Sequence, residues 1–260
     1  MLSRPHLLLL LLLALPATAV EQLGYRVLDS KPTSRGNFVQ GLEIIDGLLY
    51  VSTGLYGQSR LMRYDFASGE LLQQRRLNAR LFAEGVTVLD DKIYQLTWRN
   101  RMLLEWQVHD LTFQRWYPLP GEGWGLTNNG EQLIYSDGSD RLHFVTLPDM
   151  RITRSLRVTE DGKPLRKLNE LEWIEGKIWA NIWQSHRIVT IDPGSGEVVA
   201  SIDLQGILPV NQRRADTDVL NGIARDPATG YIWVTGKRWP SLFRIETVPL
   251  AESPNAAETR

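Results

Sequence analysis

Five segments of this 260-residue chain repeat one pattern, and that repeat limits the possible folds more than any other feature. The segments are Gln40-Gly41-Leu42, Glu84-Gly85-Val86, Trp124-Gly125-Leu126, Asn169-Glu170-Leu171 and Asn221-Gly222-Ile223, with central residues 44, 40, 45 and 52 positions apart. Nine to eleven residues after each comes a second apolar stretch, centred on Tyr50, Tyr94, Tyr135, Trp179 and Trp233. A third follows at 61–64, 102–106, 142–146, 188–191 and 242–245. Asp46-Gly47, Asp90-Asp91, Asn129-Gly130 and Glu175-Gly176 suit tight hairpin connections between them. Helical periodicity is almost absent. Units of this length with three or four short strands predict an all-β chain folded as a five-bladed β-propeller. The fifth unit is short, and the apolar stretch Tyr25 to Leu28 is expected to supply its missing strand and so close the last blade.

The two ends read differently. Arg4, the apolar run Leu7 to Leu13 and the small-x-small triplet Ala17-Thr18-Ala19 have the form of a secretory leader, so residues 1–19 are expected to be cleaved and the protein to be periplasmic or secreted. The apolar run is too short to span a bilayer, and no membrane association is expected after cleavage. Residues 20–248 then form one domain, and the polar stretch 249–260 reads as a flexible tail. With no cysteine, disulfides, a thiolate nucleophile and cysteine-bound zinc are all excluded. A formal charge of -1 offers nothing to a nucleic acid.

In such a ring, equivalent positions of the repeats surround one axis. The residue before the aligned position, a glycine in four repeats and Glu170 in the fourth, is Gln40, Glu84, Trp124, Asn169 or Asn221. A purely structural position would tend to reuse one residue type; this one varies. A second ring, four residues after each second-strand aromatic, holds Gly54, Trp98, Ser139, Trp183 and Lys237. The first and second strands are antiparallel, so both rings belong at one mouth. Packing between blades is the plain alternative for Trp98 and Trp183, and surface exposure for Lys237. The aromatics at the centres of the second strands are expected in the core. His109, His143 and His186 fall away from the mouth, and no histidine pair has zinc-ligand spacing. Gly121 to Gly125 carries no phosphate-loop lysine, and the loop with Arg213, Arg214, Asp216 and Asp218 reads as a solvated rim.

Ten motifs carry a resemblance: Phe38-Val-Gln-Gly-Leu42, Ser52-Thr-Gly-Leu-Tyr-Gly57, Phe82-Ala-Glu-Gly-Val-Thr87, Gln95-Leu-Thr-Trp98, Gly123-Trp-Gly-Leu126, Ser136-Asp-Gly138, Leu168-Asn-Glu-Leu-Glu-Trp173, Ala180-Asn-Ile-Trp183, Leu220-Asn-Gly-Ile223 and Val234-Thr-Gly-Lys-Arg-Trp-Pro240. Together they resemble the plant-and-bacterial type of glutaminyl-peptide cyclotransferase, from about residue 25 to residue 246. Val39, Val51, Ala83 and Val86 depart from the residues common there.

The resemblance implies conversion of an N-terminal glutamine of peptides or proteins to pyroglutamate with release of ammonia, without metal or cofactor, by a protein expected to be monomeric. It implies Glu84, Lys237, Asn169 and Gln40 as catalytic residues, with Glu84 as proton shuttle, and Phe38, Phe82, Trp98, Trp124 and Trp183 as substrate-binding walls. Two rival readings are a metal-dependent, lactonase-like propeller hydrolase holding its ion on Glu84, Asn169 and Asn221, and a peptide-binding propeller without activity.

Overall fold

The structure, a computed structural model, describes residues 19–252. The expected leader lies outside the described residues except for Ala19, as does the chain after residue 252.

Strand β1 (Glu21–Pro32) precedes the repeats. The first repeat holds β2 (Val39–Ile45), β3 (Leu48–Thr53), β4 (Arg60–Asp65) and β5 (Leu71–Arg76), and the second β6 (Ala83–Leu89), β7 (Lys92–Thr97), β8 (Met102–Gln107) and β9 (Phe113–Pro118). The third holds β10 (Leu126–Asn128), β11 (Leu133–Ser136), β12 (Arg141–Thr146) and β13 (Arg151–Arg157), followed by a ribbon of β14 (Thr159–Glu160) and β15 (Lys163–Pro164). The fourth is β16 (Leu168–Ile174), β17 (Lys177–Ile182), β18 (Arg187–Ile191) and β19 (Val198–Asp203), and the fifth β20 (Leu220–Arg225), β21 (Ile232–Gly236) and β22 (Ser241–Pro249). Leu250–Glu252, at the start of the expected tail, forms a 3-10 turn. The described residues contain no α-helix.

The hairpins follow their turn residues. Asp46-Gly47, Asp90-Asp91 and Glu175-Gly176 all have positive φ at both positions, the twist that matches flanking antiparallel strands. In the first three repeats the burial falls outward: β6 is buried over its whole length, whereas β5 (LLQQRR), β9 (FQRWYP) and β13 (RITRSLR) are mostly exposed.

The hydrogen bonding corrects the expected five-bladed propeller. Five separate blades would be five separate sheets. Instead there are three four-stranded sheets, β2–β5, β6–β9 and β10–β13, the two-stranded ribbon, and one eight-stranded sheet of order β16-β17-β18-β19-β1-β22-β21-β20. The cause is the length of β1. From Leu23 to Pro32 it pairs antiparallel with β22, and through Glu21, Gln22 and Leu23 it also pairs parallel with Ala200, Ser201 and Ile202 of β19. One strand therefore joins what the repeat predicts as two units. The edge strands of the large sheet, β16 and β20, lie in contact, so this sheet folds back on itself.

Five apolar clusters lie between successive repeats. One joins Tyr50 and Leu61 to Val86 and Leu104; another joins Val39 and Val51 to Ala224 and Trp233. The second-strand aromatics Tyr50, Tyr94, Tyr135, Trp179 and Trp233 are all in these clusters. The first strands form a closed cycle of contacts, β2 to β6, β6 to β10, β10 to β16, β16 to β20 and β20 to β2.

The aligned glycines permit that cycle. A Cβ on Gly41 would stand 2.4 Å from the backbone nitrogen of Val86, and one on Gly85 2.4 Å from that of Leu126. The fourth repeat has Glu170 at this position. Its buried carboxyl accepts hydrogen bonds from the backbone N–H of Leu42 (3.2 Å) and Ile223 (2.8 Å), tying three repeats together across the axis.

Gly85→Ala tests this close approach. The methyl group would collide with backbone, which cannot rotate away, and stability should fall by about 3 kcal/mol. Urea unfolding reads the change; an unchanged midpoint would show that the inner strands do not need the glycine.

Candidate active site

At one end of the inner strands lies a cavity of about 340 Å³. Its lining includes all nine residues that the family resemblance implies: Phe38, Gln40, Phe82, Glu84, Trp98, Trp124, Asn169, Trp183 and Lys237. Two local features bring them together. The strand register shifts at Val39/Gly41, Ala83/Val86, Leu168/Leu171 and Leu220/Ile223, so Gln40, Glu84, Asn169 and Asn221 all sit in β-bulges. A bulge takes a residue out of the regular ladder and re-aims its side chain.

A backbone hydrogen bond then seats the second-ring residues Trp98, Trp183 and Lys237 beside the strands that carry the first. The N–H of Trp98 donates to Phe82 O (3.0 Å), that of Trp183 to Lys167 O (2.9 Å), and that of Lys237 to Val219 O (2.9 Å). Both rings thus meet at one mouth.

The polar floor is a chain of amides. Asn169 Nδ2 donates to Asn221 Oδ1 (2.8 Å), Asn221 Nδ2 to Gln40 Oε1 (3.3 Å) and to Val39 O (3.0 Å), and Gln40 Nε2 to Glu84 Oε1 (3.2 Å). All four side chains are buried. Asn221 and Gln40 each accept with the oxygen from one neighbour and donate with the N–H to the next, so the donors run from Asn169 toward the Glu84 carboxyl.

The walls are aromatic. Phe82 meets Trp98 edge-on (ring centroids 5.5 Å apart) and Phe38 (6.4 Å), while Trp124 meets Trp183 at 5.4 Å. Lys237 Nζ lies 4.9 Å from the centre of the Phe38 ring.

These surroundings set the charges. Burial pushes the Glu84 carboxyl well above the ordinary glutamate range; the positive charge of Lys237 pulls it partly back, and the negative charge of Glu122 pushes it further up. Burial lowers the Lys237 ammonium, opposed by Glu84 and Asp218. The site therefore favours a carboxyl that keeps its proton beside an amine that gives one up more readily than usual.

The structure adds residues that spacing alone does not mark. Asn221, placed in the first ring but given no part in the reaction, links Asn169 to Gln40. Gln184 and Val219 also line the cavity, and nothing in the repeat points to them. Asp218 is exposed on the solvated rim loop, as read, and lines the cavity as well: its backbone N–H donates to Lys237 O, and this pairing draws the inserted loop against the mouth. His143 is held between Asp137 (3.1 Å) and Ser155 (2.9 Å) within its own sheet. Among the described residues no group of three or more His, Cys, Asp or Glu side chains is placed to hold a metal. The oxygens of Asn221 and Gln40 are already occupied by amide donors, so the axial residues make a poor cation cage. No helix among the described residues is long and apolar enough to cross a membrane.

Asn221→Ala would leave Asn169 Nδ2, Gln40 Oε1 and Val39 O without this partner. Stability should fall by about 1–3 kcal/mol by thermal unfolding, and Gln40 should lose its fixed orientation in a crystal structure. Wild-type stability with Gln40 unmoved would show that the chain of amides does not hold the site.

Comparison with known proteins places these features in context. Residues 7–247 match the glutamine cyclotransferase family. The chain is 34% identical over 215 residues to the glutaminyl-peptide cyclotransferase of Arabidopsis thaliana, covering 80% of this chain and 67% of that protein. The crystal structure of Myxococcus xanthus glutaminyl cyclase superposes with a TM-score of 0.80 at 33% identity, covering 88% of this chain and 98% of the other.

Proposed function

Because the chain belongs to the glutamine cyclotransferase family, we propose that its cavity takes up the N-terminal glutamine of a peptide or protein and closes it to pyroglutamate, releasing ammonia. The observation that carries the reading is one buried carboxyl, Glu84, at the end of an amide chain inside a tryptophan-walled cavity.

The nucleophile is tethered to its target, so the site has to hold a geometry rather than bring two molecules together. The free α-amine has a pKa of about 7.7–8.0 and is readily neutral. As its nitrogen bonds to the side-chain carboxamide carbon, it must lose one proton, and the departing nitrogen must gain one. Glu84 serves both ends: its protonated carboxyl gives its proton to the leaving nitrogen as that C–N bond breaks, and the carboxylate so formed takes up the proton lost by the attacking amine. Atoms and charge balance, with the lactam and ammonia as products and the carboxyl restored. A raised pKa suits this double duty, because neither transfer is strongly uphill.

Gln40 and Asn169 offer neutral hydrogen bonds to the folded glutamine without adding competing charge. Lys237, the buried cation of the cavity, donates to the carboxamide oxygen as negative charge gathers there. Phe38, Phe82, Trp98, Trp124 and Trp183 keep the stem folded and exclude the water that would hydrolyse it to glutamate. The leader-like N-terminus supports export to the periplasm or beyond, the near-zero net charge offers no footing for nucleic acid, and the chain is read as a monomer.

A Gln-Xaa peptide incubated with the protein should lose 17 Da, the mass of ammonia, faster than it does spontaneously. Glu84→Gln should reduce kcat by roughly 10²- to 10⁴-fold. Peptide binding without mass loss would favour a recognition module, and near-normal ammonia release by Glu84→Gln would remove the shuttle.

A further inference from the structure

The glycine-rich segment Gly121 to Gly125 contributes no proton or hydrogen bond to the proposed reaction, yet it carries the group that fixes two of the cavity walls. Glu122 stands there. Its Oε2 accepts hydrogen bonds from the indole Nε1–H of both Trp98 (2.7 Å) and Trp124 (3.2 Å). The two rings come from different parts of the chain: Trp98 follows β7 and Trp124 precedes β10.

A neutral oxygen shared between two donors would bind each weakly. A carboxylate forms stronger, shorter bonds and can serve both. Arg99 steadies the arrangement, with its Nε 3.6 Å from Glu122 Oε1 and its guanidinium 4.1 Å from the centre of the Trp98 ring. Trp98 in turn packs edge-on against Phe82, and Trp124 against Trp183. Four of the five aromatic walls therefore take their orientation directly or indirectly from one side chain that is absent from the cavity lining itself.

We propose that Glu122 is a positioning residue: its carboxylate clamps the indoles of Trp98 and Trp124 into a slot that fits the glutamine stem. The inference rests on the proposed cyclisation of N-terminal glutamine. The clamp also supplies a negative charge to the electrostatics of Glu84, whose other charged influence is Lys237; Lys237 in turn feels Asp218 from the loop before β20. Gln40 from β2 and Asn169 from β16 bring no charge to the site. Loss of the Glu122 charge therefore makes Glu84 easier to ionise, and the alkaline limb of the kcat profile, along which Glu84 loses its proton, should move to lower pH.

The test compares the whole protein with Glu122→Gln and Glu122→Ala, using a Gln-Xaa peptide. An amide keeps an acceptor oxygen but loses the charge, whereas alanine removes both. KM should rise roughly 3- to 10-fold in Glu122→Gln and further in Glu122→Ala, with kcat changing less than KM. The chain has nine tryptophans, and two of their indole N–H signals in ¹⁵N NMR spectra should move between wild type and Glu122→Gln. This second measurement does not depend on turnover. Unmoved indole signals would overturn the clamp, and moved signals with an unchanged KM would overturn its role in binding. A wild-type protein that releases no ammonia would fail the cyclase reading alone, with the indole signals still reporting on the clamp.

Discussion

Backbone lies directly against backbone where the first strands of successive repeats meet, and the site depends on that contact. Gly41 and Gly85 leave no room for a Cβ between neighbouring strands, and Glu170 bonds across the axis to two others. Only at this separation can amides of ordinary length link one repeat to the next. Asn169, Asn221, Gln40 and Glu84 come from four repeats and still form one hydrogen-bonded chain. The bulges at these positions add the aim. Packing at the axis and chemistry at the mouth are thus consequences of one geometric constraint.

The same burial that makes the cavity selective sets its electrostatics. A carboxyl removed from water resists ionisation, and neutral amides around it do little to reverse this. Lys237 is the group that pulls the other way. Aromatic walls exclude water and so preserve the contrast. Glu122 acts from behind those walls, joining the shape of the slot to the charge balance of its acid.

Much of the site was legible in the sequence because the repeat converts distance along the chain into position around an axis. Residues 129 positions apart, Gln40 and Asn169, could be placed together by alignment alone. What escaped lies where the repeat is silent. Glu122 occupies a connection whose glycines suggest only a turn. Asp218 belongs to the longest insertion, where no equivalent position exists to guide its placement. Asn221 was placed in its ring, but the direction of its hydrogen bonds cannot be read from spacing. The joining of two units into one eight-stranded sheet depends on β1 running a few residues beyond its antiparallel partner and reaching β19, a register that composition does not encode.

A single proton held on Glu84 in the resting protein underlies the proposed chemistry. Infrared difference spectroscopy can observe it as the carbonyl stretch of a protonated carboxyl, isolated from the other buried glutamates by subtracting the spectrum of Glu84→Gln. The predicted result is a band that persists near neutral pH and titrates with a midpoint well above the 4.5 of an ordinary glutamate. A band that disappears with a midpoint at or below that value would mean that Glu84 rests as a carboxylate, and would contradict a cavity whose burial keeps its acid protonated.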